Sequence, residues 1–146
     1  MGKKRIITQS ETAKVDSQSS VSCSSKKSSK KQVLNGIAYI NVSYNNTLIS
    51  ITDPRGELLA WSSAGSLGFK GSKKSTPYAA NLVAKDCVEK SKKFNLANIK
   101  IIVKGIGPGR ESAIRGLAGT GLNVTSVMDA TPIAHNGVKP PKPRRV

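Results

Sequence analysis

Residues 36–63 read GIAYINVSYNNTLISITDPRGELLAWSS, and this stretch decides the fold class. Ala38, Ile40, Val42 and Tyr44 fall on one side of an alternating pattern and Tyr39, Asn41 and Ser43 on the other, which is the period of a strand. Asn45-Asn46, a pair that tolerates positive φ, offers a tight hairpin before a second apolar run from Thr47 to Thr52. Asp53-Pro54-Arg55-Gly56 is the next turn, with proline preset for its second position. A third run over 57–63, around Trp61, completes an antiparallel three-stranded meander.

Toward the C-terminus, 64–75 is too rich in Gly, Ser and Lys for regular structure and reads as a loop. Thr76-Pro77 has the form of an N-cap and a first helical residue. Ala80, Val83, Ala84, Cys87 and Val88 then recur at helical spacing, so one face of this helix packs inward. Its other face carries Asp86 with Lys90 and Glu89 with Lys93 at i, i+4, charges that read as a solvated surface. There follow a strand over 99–103, a glycine-rich turn, and a short helix with Ala113, Ile114, Leu117 and Ala118 inward. Gly121 is the expected cap of that helix, and a last strand runs over 122–129. The order βββαβαβ, with helical connections only in its second half, implies a mixed sheet: an antiparallel meander extended by parallel crossovers. No internal repeat is present.

A chain of 146 residues has room for one domain. Three parts are expected: a disordered Ser/Lys-rich basic extension over 1–35, an α/β domain over 36–130 and an extended basic tail over 131–146. Twenty-four Lys and Arg against eight Asp and Glu leave a net charge of +16, an excess that answers a polyanion, nucleic acid first. No apolar run reaches the roughly 20 residues that cross a bilayer, and no apolar secretory stretch opens the chain, so a soluble intracellular protein is expected. Met1-Gly2 does not make a myristoylation motif, because Ile6 stands where Ser or Thr is needed. The Ser-rich, acid-poor start loosely resembles an organellar transit peptide, a reading weakened by Glu11, Asp16 and the near absence of Arg after Arg5. Cys23 and Cys87 suggest neither a disulfide framework nor a zinc site, and Cys87 is expected in the core.

Three segments suit phosphate. In Gly105-Ile106-Gly107-Pro108-Gly109-Arg110, between a strand and a helix, backbone N–H groups and the helix dipole can receive an anion. A dinucleotide fingerprint fails there, because Arg110 replaces the third glycine, Pro108 removes an N–H, and Asp129 follows the last strand with no second crossover. The turn fits an RNA backbone better: Gly107 and Gly109 allow close approach, Arg110 forks onto phosphate and Arg115 is offset for a second contact. The bland reading is a tight turn with solvated arginines. The 65–76 loop interleaves small residues with Lys70, Ser72, Lys73, Lys74, Ser75 and Thr76 and leads into a helix N-terminus, without matching a Walker A loop. Phe69 within it either stacks on an unpaired base or anchors the loop by burying its ring. The tail, with Lys139, Lys142, Arg144 and Arg145, four prolines and no acid, is preorganised for a polyanion, although Pro-rich segments also serve aromatic grooves.

Catalysis finds little support. His135 has no nucleophile or carboxylate that sequence places beside it. Asp53, Glu57 and Asp129 near strand ends make a metal-dependent nuclease the sharpest enzymatic alternative. A generic nucleoid or chaperone-like binder is the other competitor.

Taken together, VSYNNT (42–47), GFKGSKKSTP (68–77), the 104–112 turn and TPIAHNG (131–137) through to the end resemble the S-eleven family of small-subunit ribosomal proteins over about residues 36–146. The bacterial and organellar branch is the most similar. The resemblance implies a ribonuclease-H-like α/β fold of strand order 3-2-1-4-5 without that fold's catalytic carboxylates, and no cofactor or small-molecule substrate. It implies contact with small-subunit ribosomal RNA in the platform, neighbouring platform proteins, and the vicinity of the mRNA at the Shine-Dalgarno helix. It places the chain in a cytoplasmic ribosome, or an organellar one, and adds Asn45, Asn46, His135 and Asn136 to the RNA-binding set. The chain departs from the family pattern with Tyr39 where His is common, Val138 where Cys is common and Lys at several places where Arg is usual, which keeps the charge but loses the bidentate fork. Asn136-Gly137 is also a pair prone to isoaspartate formation.

Overall fold

The computed structural model describes residues 32–139, 141 and 142. Its strands are β1 (Asn35–Val42), β2 (Thr47–Thr52), β3 (Leu58–Ser63), β4 (Asn98–Gly105) and β5 (Asn123–Asp129), and its α-helices are α1 (Pro77–Ser91) and α2 (Gly109–Ala118). The sheet order is β3-β2-β1-β4-β5. β1–β2 and β2–β3 are antiparallel, whereas β1–β4 and β4–β5 are parallel. The mixed sheet read from the sequence is therefore present with its two helices, in the order 3-2-1-4-5 that the family resemblance implied. Residues 1–31 of the extension expected over 1–35, Cys23 among them, and Arg144 and Arg145 lie outside the described residues.

Strand alternation puts Ala38, Ile40 and Val42 of β1, Ile49 and Ile51 of β2, and Ile99, Ile101 and Val103 of β4 on one buried face. Each fully enclosed isoleucine there contributes about 2 kcal/mol of transfer free energy. Both helices cover this face. α1 sends in Ala79, Ala80, Val83, Ala84, Cys87 and Val88, and α2 sends in Ala113 and Leu117. The described residues form two layers, and among them no helix lies on the opposite face of the sheet.

Several local expectations change. The folded unit starts before Gly36, because Val33 is buried and its N–H donates to the Phe94 carbonyl at 3.0 Å, while Ala97 and Asn98 N–H groups donate to Leu34. Asn45 and Asn46 do not take positive φ. A four-residue loop is closed instead by Ser43, whose N–H donates to the Asn46 carbonyl (2.9 Å) and whose Oγ accepts the Asn46 N–H (3.1 Å). Tyr44 leaves the strand and is exposed. Within the expected loop, Gly71–Ser75 winds into a 3-10 turn.

Thr76 caps α1 as expected, its hydroxyl accepting the Ala79 N–H at 3.3 Å. Asp86 does more than solvate the outer face. It accepts from Ser62 Oγ and Lys90 Nζ, both at 2.6 Å, and so ties α1 to β3. Partial burial disfavours the Asp86 charge, but these two donors outweigh it and hold the carboxyl below its ordinary range. In α2, Ala118 is exposed and Gly116 takes the inward place, because a Cβ there would stand 2.8 Å from the Ala84 Cβ of α1. Gly119 caps that helix, and Gly121, at φ +86°, turns the chain into β5. Cys87 is in the core as expected. Burial first, and the neighbouring Asp86 charge second, push its thiol up to about 12.

Candidate nucleic-acid interface

β1, β3, β4 and β5 run in one direction, so the loops that leave their C-terminal ends gather at one end of the sheet. These are the 43–46 loop, the 64–76 segment, the 105–108 turn and the start of the tail. Topology thus brings together the segments that the sequence singled out from places far apart in the chain.

The glycine turn is built by close approach. Gly105 has φ +91°, and a Cβ there would lie 2.0 Å from the Val42 carbonyl oxygen; one on Gly107 would lie 2.7 Å from the Ser43 carbonyl. The 43–46 loop therefore rests directly on the turn, with Asn45 exposed and Asn46 half-buried. Pro108 occupies the N-cap of α2 and no side chain caps that helix, so its first N–H groups have no side-chain acceptor.

Arg110 is committed within the chain. Its guanidinium donates to the Gly105 carbonyl, to Thr131 Oγ1 at 3.3 Å and to Asp129 Oδ2 at 2.5 Å. The Asp129 carboxylate also accepts from the Thr131 hydroxyl (2.5 Å) and N–H (2.9 Å), and the Gly105 N–H donates to Thr131 Oγ1 at 3.2 Å. Thr131 first and Arg110 second hold the Asp129 carboxyl down at about 2. The expected phosphate fork is thus a clasp that fixes where the tail leaves β5. Sequence reasoning missed it because Asp129 and Thr131 are 19 and 21 residues from Arg110.

Arg115 is different: 80% exposed and paired only with Glu111 at 3.2 Å across solvent, it is free to turn to another anion. Lys70, extended just before the 3-10 turn, and Ser72 and Lys73 on it are exposed, with Lys74, Ser75 and Thr76 half-buried. The Ser75 and Thr76 hydroxyls donate to the Ser72 and Lys73 carbonyls, at 3.0 and 2.9 Å, and so shape the turn that presents the lysines. Phe69 packs against the core and meets Tyr78 edge-on, centroids 6.3 Å apart, which is the anchoring role. His135, Asn136, Lys139 and Lys142 are exposed in a tail whose described residues form no helix or strand, bent at Asn136 (φ +54°).

Among the described residues no group of three or more His, Cys, Asp or Glu comes together to hold a metal ion, and no helix is long and apolar enough to cross a membrane. Asp129, the acid that the nuclease reading needed, is spent on Arg110 and Thr131. One basic residue of this end was overlooked: exposed Lys104, directly before the glycine turn, which its outward place in the β4 alternation could have revealed.

An uncapped helix end, a lysine-bearing turn and a clasped basic tail at one end of a 3-2-1-4-5 sheet suit RNA phosphate. In agreement with that geometry, the family model of ribosomal protein S11 matches residues 36–145, and the chain belongs to this family of structural, rRNA-binding proteins of the small ribosomal subunit.

Proposed function

We propose that this end of the sheet binds small-subunit rRNA in the platform, close to neighbouring platform proteins and to the mRNA at the Shine-Dalgarno helix. The role is architectural and not catalytic. Lys70, Lys73, Lys74, Arg115, Lys139, Lys142, Arg144 and Arg145 neutralise phosphates, and Ser72 and the α2 N-terminus admit the backbone closely, whereas Gly107 and Gly109, expected to open the turn to RNA, instead let it pack inward on Ser43 and on Thr47 and Ala80. Asn45, Asn46, His135 and Asn136 supply neutral polar contacts, whereas Ser75, Thr76 and Arg110 act by holding the surface in shape. The ribosome concerned is the cytoplasmic one, with an organellar ribosome as the alternative.

The observation that carries this reading is the convergence of four sequence-distant segments on one sheet end, where the acids Glu111 and Asp129 are both paired with arginines. The test is the salt dependence of binding to platform rRNA. With ~6 phosphates neutralised, log K against log salt falls with a slope of about −5 or steeper. A slope near zero, or equal affinity for duplex DNA, overturns the proposal.

A further inference from the structure

The sheet face opposite the helices carries a row of side chains that the fold does not use. Pairing aligns Trp61 of β3 with Ser50 of β2, Ser50 with Tyr39 of β1, Tyr39 with Ile102 of β4, and Ile102 with Met128 of β5. Trp61 is 51% and Met128 50% exposed, and Tyr39 and Ile102 are half-buried between them. At about 4.8 Å per strand the row spans roughly 19 Å, with Trp61 and Tyr39 about 10 Å apart.

We propose that this row is a second RNA contact, on which unpaired bases of rRNA stack, separate from the phosphate-binding end of the sheet. Three observations select RNA as the occupant. The charged side chains that strand alternation places on this face are Lys100 and Lys104, on either side of Ile102, and no carboxylate shares the strand positions facing that way. The face is continuous with the phosphate-binding end through Lys104, which precedes Gly105. Flat aromatic rings on an open sheet beside lysines accept the π-face of any base while the ammonium groups meet its phosphate. The chain's own first 31 residues are a poor cover, since eight Lys and Arg among them repel Lys100 and Lys104. The inference rests on the chain being an RNA binder but not on the Lys70–Lys74 turn.

Trp61 is the single tryptophan of the chain, so the site reports on itself. The full-length protein is titrated with an unstructured oligouridylate of about 12 nucleotides and with an abasic oligomer of equal length. Oligouridylate is expected to quench Trp61 emission and the abasic oligomer is not. By anisotropy of labelled oligouridylate, Trp61→Ala and Tyr39→Ala each weaken binding about fivefold or more, with far-ultraviolet circular dichroism unchanged because neither ring is in the core. Equal quenching by the abasic oligomer, no quenching at all, or alanine variants that bind like the parent overturns the inference. If platform rRNA still binds with its steep salt slope in that case, the phosphate-binding end stands and this face belongs to a protein neighbour.

Discussion

Gly105→Ala probes the junction on which the whole sheet end depends. At φ +91° an L residue is strained, at a cost of about 1–3 kcal/mol. Its Cβ would also stand 2.0 Å from the Val42 carbonyl oxygen, a backbone atom that cannot swing aside, so β1 and β4 must part locally at a further cost of about 1–3 kcal/mol. The sum, about 2–6 kcal/mol, is a large share of the roughly 5–15 kcal/mol that holds a domain of this kind. At about 4 °C per kcal/mol the melting temperature falls by about 8–24 °C. Gly56 provides the control, because it has nearly the same φ, +90°, with nothing within 4 Å of an added Cβ. Gly56→Ala carries the backbone strain alone, about 4–12 °C. Thermal unfolding followed by circular dichroism reads both. If Gly105→Ala melts no lower than Gly56→Ala, the close packing of the glycine turn on β1 is wrong.

Other expectations concern the clasp, the core and the lysines. The Asp129 carboxyl is held at about 2, below its ordinary 3.8, so its contribution is complete above about pH 4 and is lost as pH falls through about 2. The Thr131 amide resonance should therefore titrate near pH 2, and a midpoint near 3.8 would contradict the clasp. In a Cys23→Ser background the Cys87 thiol should resist an aromatic disulfide reagent in mildly alkaline buffer until the protein is unfolded, since burial pushes it up to about 12; prompt native reaction refutes its enclosure. Each of Lys70→Ala, Lys73→Ala and Lys74→Ala should flatten the salt slope for platform rRNA by about 0.9, and an unchanged slope removes that lysine from the contact set. Aged protein should yield isoaspartate at exposed Asn136-Gly137, which a peptide map showing only unmodified Asn136 would disprove.

The architecture was legible in the sequence because its signals are local. Alternation over 36–52, Pro54-Arg55-Gly56 and Thr76-Pro77 act within a few residues, and the βββαβαβ order restricts the sheet to few topologies. The details that changed depend on contacts between distant residues. Ala118 and Gly116 are near neighbours on one helix, and only the close approach of Ala84 of α1 to Gly116 decides which faces inward. Arg110 read as free because two of its acceptors, Asp129 and Thr131, lie beyond the rest of α2, 19 and 21 residues on. Trp61, Tyr39, Ile102 and Met128 became a row only once register was fixed, including the irregularity between Ile99 and Lys100 in the β4–β5 pair. The lysine turn was legible as composition, whereas its placement at the same sheet end as the glycine turn is a property of the common direction of β1, β3 and β4.

The most direct test of the central claim uses tethered cleavage within assembled small subunits. An iron chelate is attached to a single cysteine placed either at Ser72, on the lysine turn, or at Arg55, exposed at the opposite end of the sheet, in a protein with both native cysteines replaced by serine. The expected result is strong hydroxyl-radical cleavage of platform rRNA from Ser72→Cys and weak or no cleavage there from Arg55→Cys. Equal cleavage from the two positions, or stronger cleavage from Arg55→Cys, would contradict the assignment of the RNA-binding surface to the end of the sheet where the four segments meet.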